Sequence, residues 1–209
     1  MNDTEFTGFI PSDFDGTEFK FESDTGFKLP TRYSYQDVLP PVMSQGSLPI
    51  CVPCSITAHL NWNANMDRED GLVVDNNVRY MDIYEQGKVA NGEGMTFKSA
   101  LKFLRHNGVM SDRGLLKIDR YAMITTVDEL RQALVLNGPC IAGLPFYGNT
   151  REFWKGTNFN GGHAISIVGY DEQGFIIRNS WGPAYADDGH TKLRYQEFPI
   201  IMEAWCIID

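Results

Sequence analysis

Residues 45–54 of this chain, QGSLPICVPC, decide how it folds. Pro53 follows Cys51 by two positions, and proline is tolerated in the first turn of a helix because its missing N–H would have no partner there. The stretch therefore predicts a helix from Cys51 to about Met66. A cysteine at the start of a helix is well placed to act as a nucleophile, because the positive end of the helix dipole favours its thiolate.

The sequence changes in character at Pro139. Before it, apolar residues recur at helical spacing, and after it they form short runs separated by turn residues. We predict further helices over residues 77–86 and 96–107 and from Thr126 to Gly138, and strands over 140–145, 164–170, 175–180 and 204–208. This order predicts an α+β fold with a helical lobe at about 45–120, an antiparallel β-rich lobe at about 121–209, and a cleft between them.

The composition excludes several classes of function. Twenty-seven acidic residues outnumber eighteen basic ones and give a formal net charge of −9, so nucleic acid is not an expected partner. No apolar run approaches the ~18–20 residues that span a bilayer, and the start of the chain lacks the basic and apolar regions of a signal peptide. We therefore expect no membrane partner and a cytoplasmic location. Four scattered cysteines are too few for a disulfide scaffold, which favours a reducing compartment.

The first 28 residues differ from the rest of the chain in charge and in the spacing of their aromatic residues. They hold seven acidic residues against two lysines, and their alternating aromatic residues predict short strands or an extended segment. We predict an acidic N-terminal arm over residues 1–28 and one domain over 29–209. The arm is either a solvated tail or a segment packed on the body or near the cleft.

His163 and Asn179 stand in the sequence surroundings that a cysteine nucleophile requires. An imidazole that takes the thiol proton needs a third group to fix its tautomer and orientation. His163 lies at the start of one predicted strand, and Asn179 lies at the end of the next, after turn residues 171–174. We predict that His163 is the base for Cys51 and that Asn179 orients its ring. Trp181 is predicted to cover their hydrogen bond from water.

Gln45 lies six residues before Cys51 in a glycine-containing loop. Its side-chain amide and the Cys51 backbone N–H are both donors, and a developing oxyanion needs such a pair. The sequence therefore predicts an oxyanion site at Gln45.

These residues resemble the motifs of papain-family cysteine peptidases. The resemblance extends from about Leu29 to the C-terminus and rests on Gln45-Gly46-Ser47 with Cys51, Gly162-His163-Ala164, and Asn179-Ser180-Trp181-Gly182. It implies the family's two-lobed fold with a β-barrel-like second lobe. It also implies a cysteine endopeptidase that acts on proteins or peptides through a thioester, without a metal or an organic cofactor. The resemblance implies that Gln45 donates a hydrogen bond to the oxyanion, that Cys51 is the nucleophile and that His163 is the general base. It also implies that Asn179 orients the His163 imidazole and that Trp181 shields it from water.

The resemblance also implies the substrate contacts. Gly94 matches the glycine along which the family pairs an extended peptide. Gly162 leaves room for a substrate backbone, and Met95 and Ala164 border the main side-chain pocket, which suggests apolar substrate residues there.

Some features depart from the family's pattern. Pro49-Ile50 stands where the family has small residues, Val52 replaces an aromatic residue, and Leu48 replaces a cysteine that forms a disulfide. We expect the long helical inhibitory propeptide of the family to be absent, because the 28 residues before the matching region are too few to build it.

Other functions stay open. The stretch Cys51-Val52-Pro53-Cys54 has the form of a thioredoxin-like redox motif, which predicts a strand leading into Cys51. A Cys51–Cys54 disulfide would also silence a peptidase under oxidation. The remaining alternatives are a papain-like module that binds a partner without catalysis and an enzyme that transfers the acyl group to an amine. A monomer is expected.

Overall fold

The computed structural model describes residues 8–66, 68–88 and 94–209. Its helices are α1 (Cys51–Met66), α2 (Tyr80–Gly87), α3 (Phe97–His106) and α4 (Val127–Asn137). Its strands are β1 (Tyr33–Ser34), β2 (Val109–Ser111), β3 (Gly114–Leu116), β4 (Arg120–Met123), β5 (Cys140–Pro145), β6 (Gly162–Tyr170), β7 (Gly174–Arg178), β8 (His190–Arg194) and β9 (Glu203–Ile208). Helices precede an antiparallel sheet, so the predicted α+β class is confirmed.

Helix α1 is the buried centre of the molecule. It begins at Cys51 and ends at Met66, as predicted. Every residue from Cys51 to Asn61 is buried, because helices cover one side of α1 and strand β6 covers the other. The Ser166 hydroxyl of β6 donates to the Ser55 carbonyl of α1 at 2.6 Å. Contacts on both sides give Cys51 a fixed position.

Helices α3 and α4 follow their sequence signals. The Thr96 side chain caps α3, and Thr126 with Glu129 forms the predicted capping box of α4. Helix α4 stops at Gly138, which has a φ of 93° that L side chains rarely adopt. None of the described helices is both long and apolar enough to cross a bilayer.

Helix α2 begins later than predicted, at Tyr80 instead of residue 77. Asn77 has a φ of 47°, and the Arg79 N–H donates outside the helix, to the Met110 carbonyl at 2.9 Å. A tertiary contact that the local sequence does not reveal therefore sets this boundary.

Seven strands form one antiparallel sheet. Its order is β4-β9-β5-β6-β7-β8, and β1 pairs with β6 beside this path. Strand β6 begins at Gly162, two residues earlier than predicted, so His163 lies inside the strand. Strand β7 ends at Arg178, so Asn179 follows the strand instead of ending it. The short strands β1, β2, β3, β4 and β8 were not predicted, since each has five residues or fewer and little alternation.

Apolar side chains pack on both faces of this sheet. On one face Ile165 and Ile167 of β6 pack with α4, and on the other Ala164 of β6 packs with α1 and α3. Each of the nine residues of β6 is buried. The strand that carries His163 is therefore held from both sides.

Residues 8–28 run as an extended segment across the body, and residues 1–7 lie outside the described part of the chain. Phe9 forms single β-bridges with Met95 and Gly162, and Lys20 forms one with Met123. These bridges tie the segment to both lobes. The domain boundary at residue 29 stays a prediction.

Candidate active site

Cys51 opens helix α1 and is fully buried. Burial raises the pKa of its thiol to about 11, although the backbone N–H groups of Ala164 and Gly8 approach the sulfur and favour the thiolate. Because Ala164 follows His163 directly, the sulfur lies beside the strand segment that carries the imidazole. The structure thus brings Cys51 to β6 and covers it.

His163 and Asn179 form a hydrogen bond of 2.7 Å between Nε2 and Oδ1. The Ser180 N–H donates to the same Oδ1 at 2.8 Å, so this atom of the amide is the acceptor. Nε2 of His163 therefore carries a hydrogen and donates it to Asn179, so Nδ1 is the ring nitrogen that can exchange a proton with another group. The arrangement suits an imidazole that acts as a base.

Three aromatic rings surround the His163 imidazole. The Trp181 ring stacks on it with a centroid distance of 4.9 Å and an angle of 30°. Phe153 meets it edge-on at 5.1 Å, and Phe146 lies at 6.3 Å. Apolar rings exclude water, and a hydrogen bond is stronger in such surroundings. Trp181 therefore stacks on the imidazole, and its shielding of the His163–Asn179 hydrogen bond from water stays a prediction.

Gln45 is held by Ser180. The Ser180 hydroxyl donates to Gln45 Oε1 at 2.5 Å, and the Ser180 carbonyl accepts from the Gln45 N–H at 2.8 Å. Gln45 Nε2 donates to the Leu48 carbonyl at 2.8 Å. A side-chain amide has two N–H donors, so one remains for an oxyanion.

The four predicted substrate contacts all lie around Phe9 of the arm. Met95 donates its N–H to the Gly8 carbonyl at 2.8 Å and accepts from the Ile10 N–H at 3.0 Å. The Gly162 carbonyl accepts from the Phe9 N–H at 3.4 Å. Gly94 has a φ of 125°, and a Cβ there would come within 2.8 Å of the Gly8 carbonyl oxygen.

The pocket that receives Phe9 exists because two of the residues that line it are glycines. A Cβ on Gly143 would lie 2.2 Å from the Phe9 ring, and a Cβ on Gly162 would lie 2.6 Å from it. Ala164 belongs to the same buried cluster. The Met95 side chain points elsewhere, because its terminal methyl lies 2.1 Å from the position that a Cβ of Gly87 would take. Met95 thus lines this cleft with its backbone and packs into α2 with its side chain.

The thioredoxin-like redox hypothesis requires a strand that leads into Cys51. Residues 46–49 form turns and bends, so in the described part of the chain no strand leads into Cys51. Both cysteines of the motif are free thiols, and Cys54 packs with Ile50 and Tyr84, in a different cluster from Cys51. Within the described ranges, no group of His, Cys, Asp or Glu side chains is placed to hold a metal ion.

The sequence did not predict several residues of the site: Ser180 beside Gln45, Phe146 and Phe153 around His163, and Phe9 in the cleft. Ser180 had a local signal, since it stands between Asn179 and Trp181 in the most distinctive motif. The three phenylalanines had none, because only the folded chain brings them to the site.

The sequence matches the family model described as papain family cysteine protease over residues 62–207. This range includes His163, Asn179 and Trp181 and begins after Gln45 and Cys51. Macrodontain-1 of Ananas macrodontes is 31% identical over 37% of this chain, and ananain of Ananas comosus is 31% identical over 56% of it. The chain spans 40% of macrodontain-1 and 36% of ananain.

Solved structures of cysteine proteases have the same fold. Xylellain from Xylella fastidiosa superposes with a TM-score of 0.80 at 21% identity, over 97% of this chain and 95% of that one. The Carica candamarcensis cysteine protease CMS1MS2, in complex with E-64, superposes with a TM-score of 0.69 at 17% identity, over 87% of this chain and 99% of that one.

Proposed function

From the premise that this chain belongs to the papain family of cysteine proteases, we propose that it hydrolyses peptide bonds within proteins or peptides. Cys51 is the nucleophile, His163 the base, Asn179 its orienting group, and Gln45 a donor to the oxyanion. The observation that carries the proposal is the His163–Asn179 hydrogen bond, because it fixes the orientation of the imidazole that takes the thiol proton.

The reaction then proceeds in two steps. His163 Nδ1 takes the thiol proton of Cys51, and the sulfur attacks the carbonyl carbon of the substrate. The C–N bond breaks, the leaving amine takes the proton from His163, and a thioester remains on Cys51. A water molecule then gives a proton to His163 and attacks the thioester, the C–S bond breaks, and the Cys51 sulfur takes that proton back from His163 as the acid product leaves. The Gln45 side chain and the Cys51 N–H stabilise the oxyanion in both steps.

An irreversible epoxide inhibitor tests the nucleophile. We expect E-64 to add its mass to the full-length protein and peptide mapping to place it on Cys51. Cys51→Ala should lose the label, and Cys54→Ala, which removes the other thiol of the same motif, should keep it. Labelling of the wild type is expected to be slow because Cys51 is buried. If a Phe9→Asp variant, designed to uncover Cys51, also takes no label, the proposed function is wrong.

Product analysis separates hydrolysis from acyl transfer. Digestion of a peptide library in the presence of a free amine should give carboxylic acid products by mass spectrometry. Amide products formed with the added amine would identify a transferase instead. Folded protein that turns over no peptide would identify a binding module.

A further inference from the structure

We infer that Cys140 and Cys206 form a disulfide between strands β5 and β9 when the chain folds in the presence of a small-molecule disulfide such as oxidised glutathione, and that this bond stabilises the β-rich lobe. Both thiols are free in the structure. The inference adds a modification site to the fold, and it does not depend on the proposed peptidase function.

The register of β5 and β9 places the two cysteines opposite each other. Ile141 of β5 pairs with Trp205 of β9 in an antiparallel ladder. In such a ladder, one step back along one strand is matched by one step forward along the other. The residue before Ile141 is Cys140, and the residue after Trp205 is Cys206. The two cysteines, which are far apart in the sequence, therefore meet across neighbouring strands.

Both side chains lie on the same face of the sheet. Cys140 and Cys206 belong to the buried cluster that packs against α4, whereas their neighbours Ile141 and Trp205 belong to the cluster on the opposite face. This division follows from the alternation of side chains along a strand. Both cysteines are fully buried. The two sulfur atoms are thus directed into the same part of the core.

The backbone hydrogen bonds show that the strands are close at this pair. The Ile124 N–H donates to the Ala204 carbonyl at 2.9 Å, so the backbone polar groups of Ala204 point toward β4. Those of Cys206, two residues later, point the same way and away from β5. Cys140 and Cys206 therefore occupy a non-hydrogen-bonded position, where opposing Cα atoms lie about 4.5 Å apart. Disulfides join Cα atoms that are ~4.4–6.8 Å apart, so this position suits one.

The other two cysteines do not share this arrangement. All four lie in the described part of the chain, and Cys140 and Cys206 are the only two in one buried cluster. The Cys140 thiol makes a weak contact with the Gly138 carbonyl at 3.7 Å. A disulfide would replace this contact with a covalent bond.

Burial determines when the bond can form. It raises the pKa of the Cys206 thiol to about 12 and holds the pKa of the Cys140 thiol well above its usual range. The attack on a disulfide requires a thiolate with access to the reagent. We therefore expect the exchange to take place during folding, before α4 and the sheet enclose the two sulfurs.

The exchange has two steps. One cysteine thiolate attacks oxidised glutathione, whose S–S bond breaks, and one reduced glutathione leaves. The second thiolate attacks the protein sulfur of the mixed disulfide and releases the other glutathione. The two protein thiols lose two electrons and two protons in total, and oxidised glutathione gains them.

Refolding of the full-length chain tests the inference. The reduced protein is refolded from urea with oxidised and reduced glutathione, its remaining thiols are blocked with iodoacetamide, and it is digested without reductant. We expect mass spectrometry to show a linked pair of peptides that contain Cys140 and Cys206. Folded protein given the same glutathione mixture should form this link at least tenfold more slowly, because both thiols are buried.

Urea unfolding with and without dithiothreitol measures the effect of the link. Dithiothreitol should lower the urea midpoint of the linked wild type by roughly 0.5–1 M, because the reduced unfolded chain is less constrained. Cys54→Ala is the matched control and should keep both the link and this shift. Cys140→Ala and Cys206→Ala should each lose both. Refolded wild type without the linked peptides, or with the same midpoint in the presence and absence of dithiothreitol, would overturn the inference.

Discussion

Ser180 and Gln45, 135 positions apart, are joined by two hydrogen bonds, one through the side chains and one through the backbone. The Ser180 N–H also donates to Asn179 Oδ1. Ser180 therefore contacts both Asn179, which we propose orients the base, and Gln45, which we propose donates to the oxyanion. Its position in the chain, directly after Asn179, makes this double contact possible.

Replacing Ser180 by alanine should slow catalysis without weakening substrate binding. The Gln45 amide would lose the donor that fixes Oε1, so its remaining N–H would be aimed less well at the oxyanion. Loss of an oxyanion donor costs ~10²–10³ in kcat, and misorientation should cost less, roughly tenfold, with KM little changed. Steady-state kinetics on a fluorogenic peptide measures both constants. Ser47→Ala, in the same loop as Gln45 and exposed, should have no effect.

Trp181 should contribute to the catalytic rate by excluding water from the His163 imidazole. Its ring stacks on the imidazole at 4.9 Å. In Trp181→Ala, water would compete for the His163–Asn179 hydrogen bond, and we expect kcat to fall by roughly tenfold, a fraction of the ~10²–10⁴ that a positioned base supplies. Trp181→Phe keeps an apolar ring and should recover most of the rate. Equal activity in the alanine and phenylalanine variants, both shown to be folded by circular dichroism, would contradict this role.

The elements that the sequence predicted well are those whose signals are local. Pro53 and the turn before Cys51 define the start of α1, and Thr126 with Glu129 and Gly138 defines both ends of α4. A cap or a helix stop acts within a few residues, so the local sequence suffices. The contact between His163 and Asn179 was also predicted, because each stands in a short motif with a chemical reason; their catalytic roles stay a prediction.

The course of the arm was not predictable from the sequence, beyond its extended form. Ser12 and Glu203 are 191 positions apart, and the pocket for Phe9 exists because Gly143 and Gly162 of neighbouring strands lack side chains. Sequence periodicity indicates which face of a strand is apolar, but not which distant segment covers it. The acidic composition of the arm did not reveal its partner either, because Lys98, which contacts Glu18 and Asp15, is identified only by the folded structure.

Glu197 should make folding stability depend on pH in the acid range. Burial opposes its ionisation, but hydrogen bonds from Arg194 and Lys155 outweigh burial and lower the pKa to about 2. A carboxyl whose pKa is lower in the folded state stabilises the fold above its unfolded pKa, near 4.5, and loses this contribution as the pH falls through about 2.

The contribution of Glu197 to stability can be measured by urea unfolding of the wild type and of Glu197→Gln at several pH values. At pH 7 the variant should be less stable than the wild type by on the order of 1–2 kcal/mol, and the difference should disappear toward pH 2. Glu172→Gln removes an exposed carboxylate that pairs with Arg32 and should leave the free energy of unfolding nearly unchanged, because solvent screens an exposed ion pair. A constant difference between Glu197→Gln and wild type over the whole pH range would contradict the lowered pKa.

Gly143 should set which side chains the cleft accepts. A Cβ at this position would lie 2.2 Å from the Phe9 ring, so Gly143→Ala makes the pocket too shallow for a phenyl group. We expect this variant to lose roughly 10–100-fold in kcat/KM for peptides that place an aromatic residue in the pocket, and to keep its rate for peptides with alanine there. The alanine peptides are the internal control, because a disturbed catalytic site would slow both. Digestion of a peptide library, with cut sites read by mass spectrometry, should show aromatic preference in the Phe9→Asp background and its loss when Gly143→Ala is added. The same aromatic preference with and without Gly143→Ala would mean that substrates do not enter the pocket that Phe9 fills.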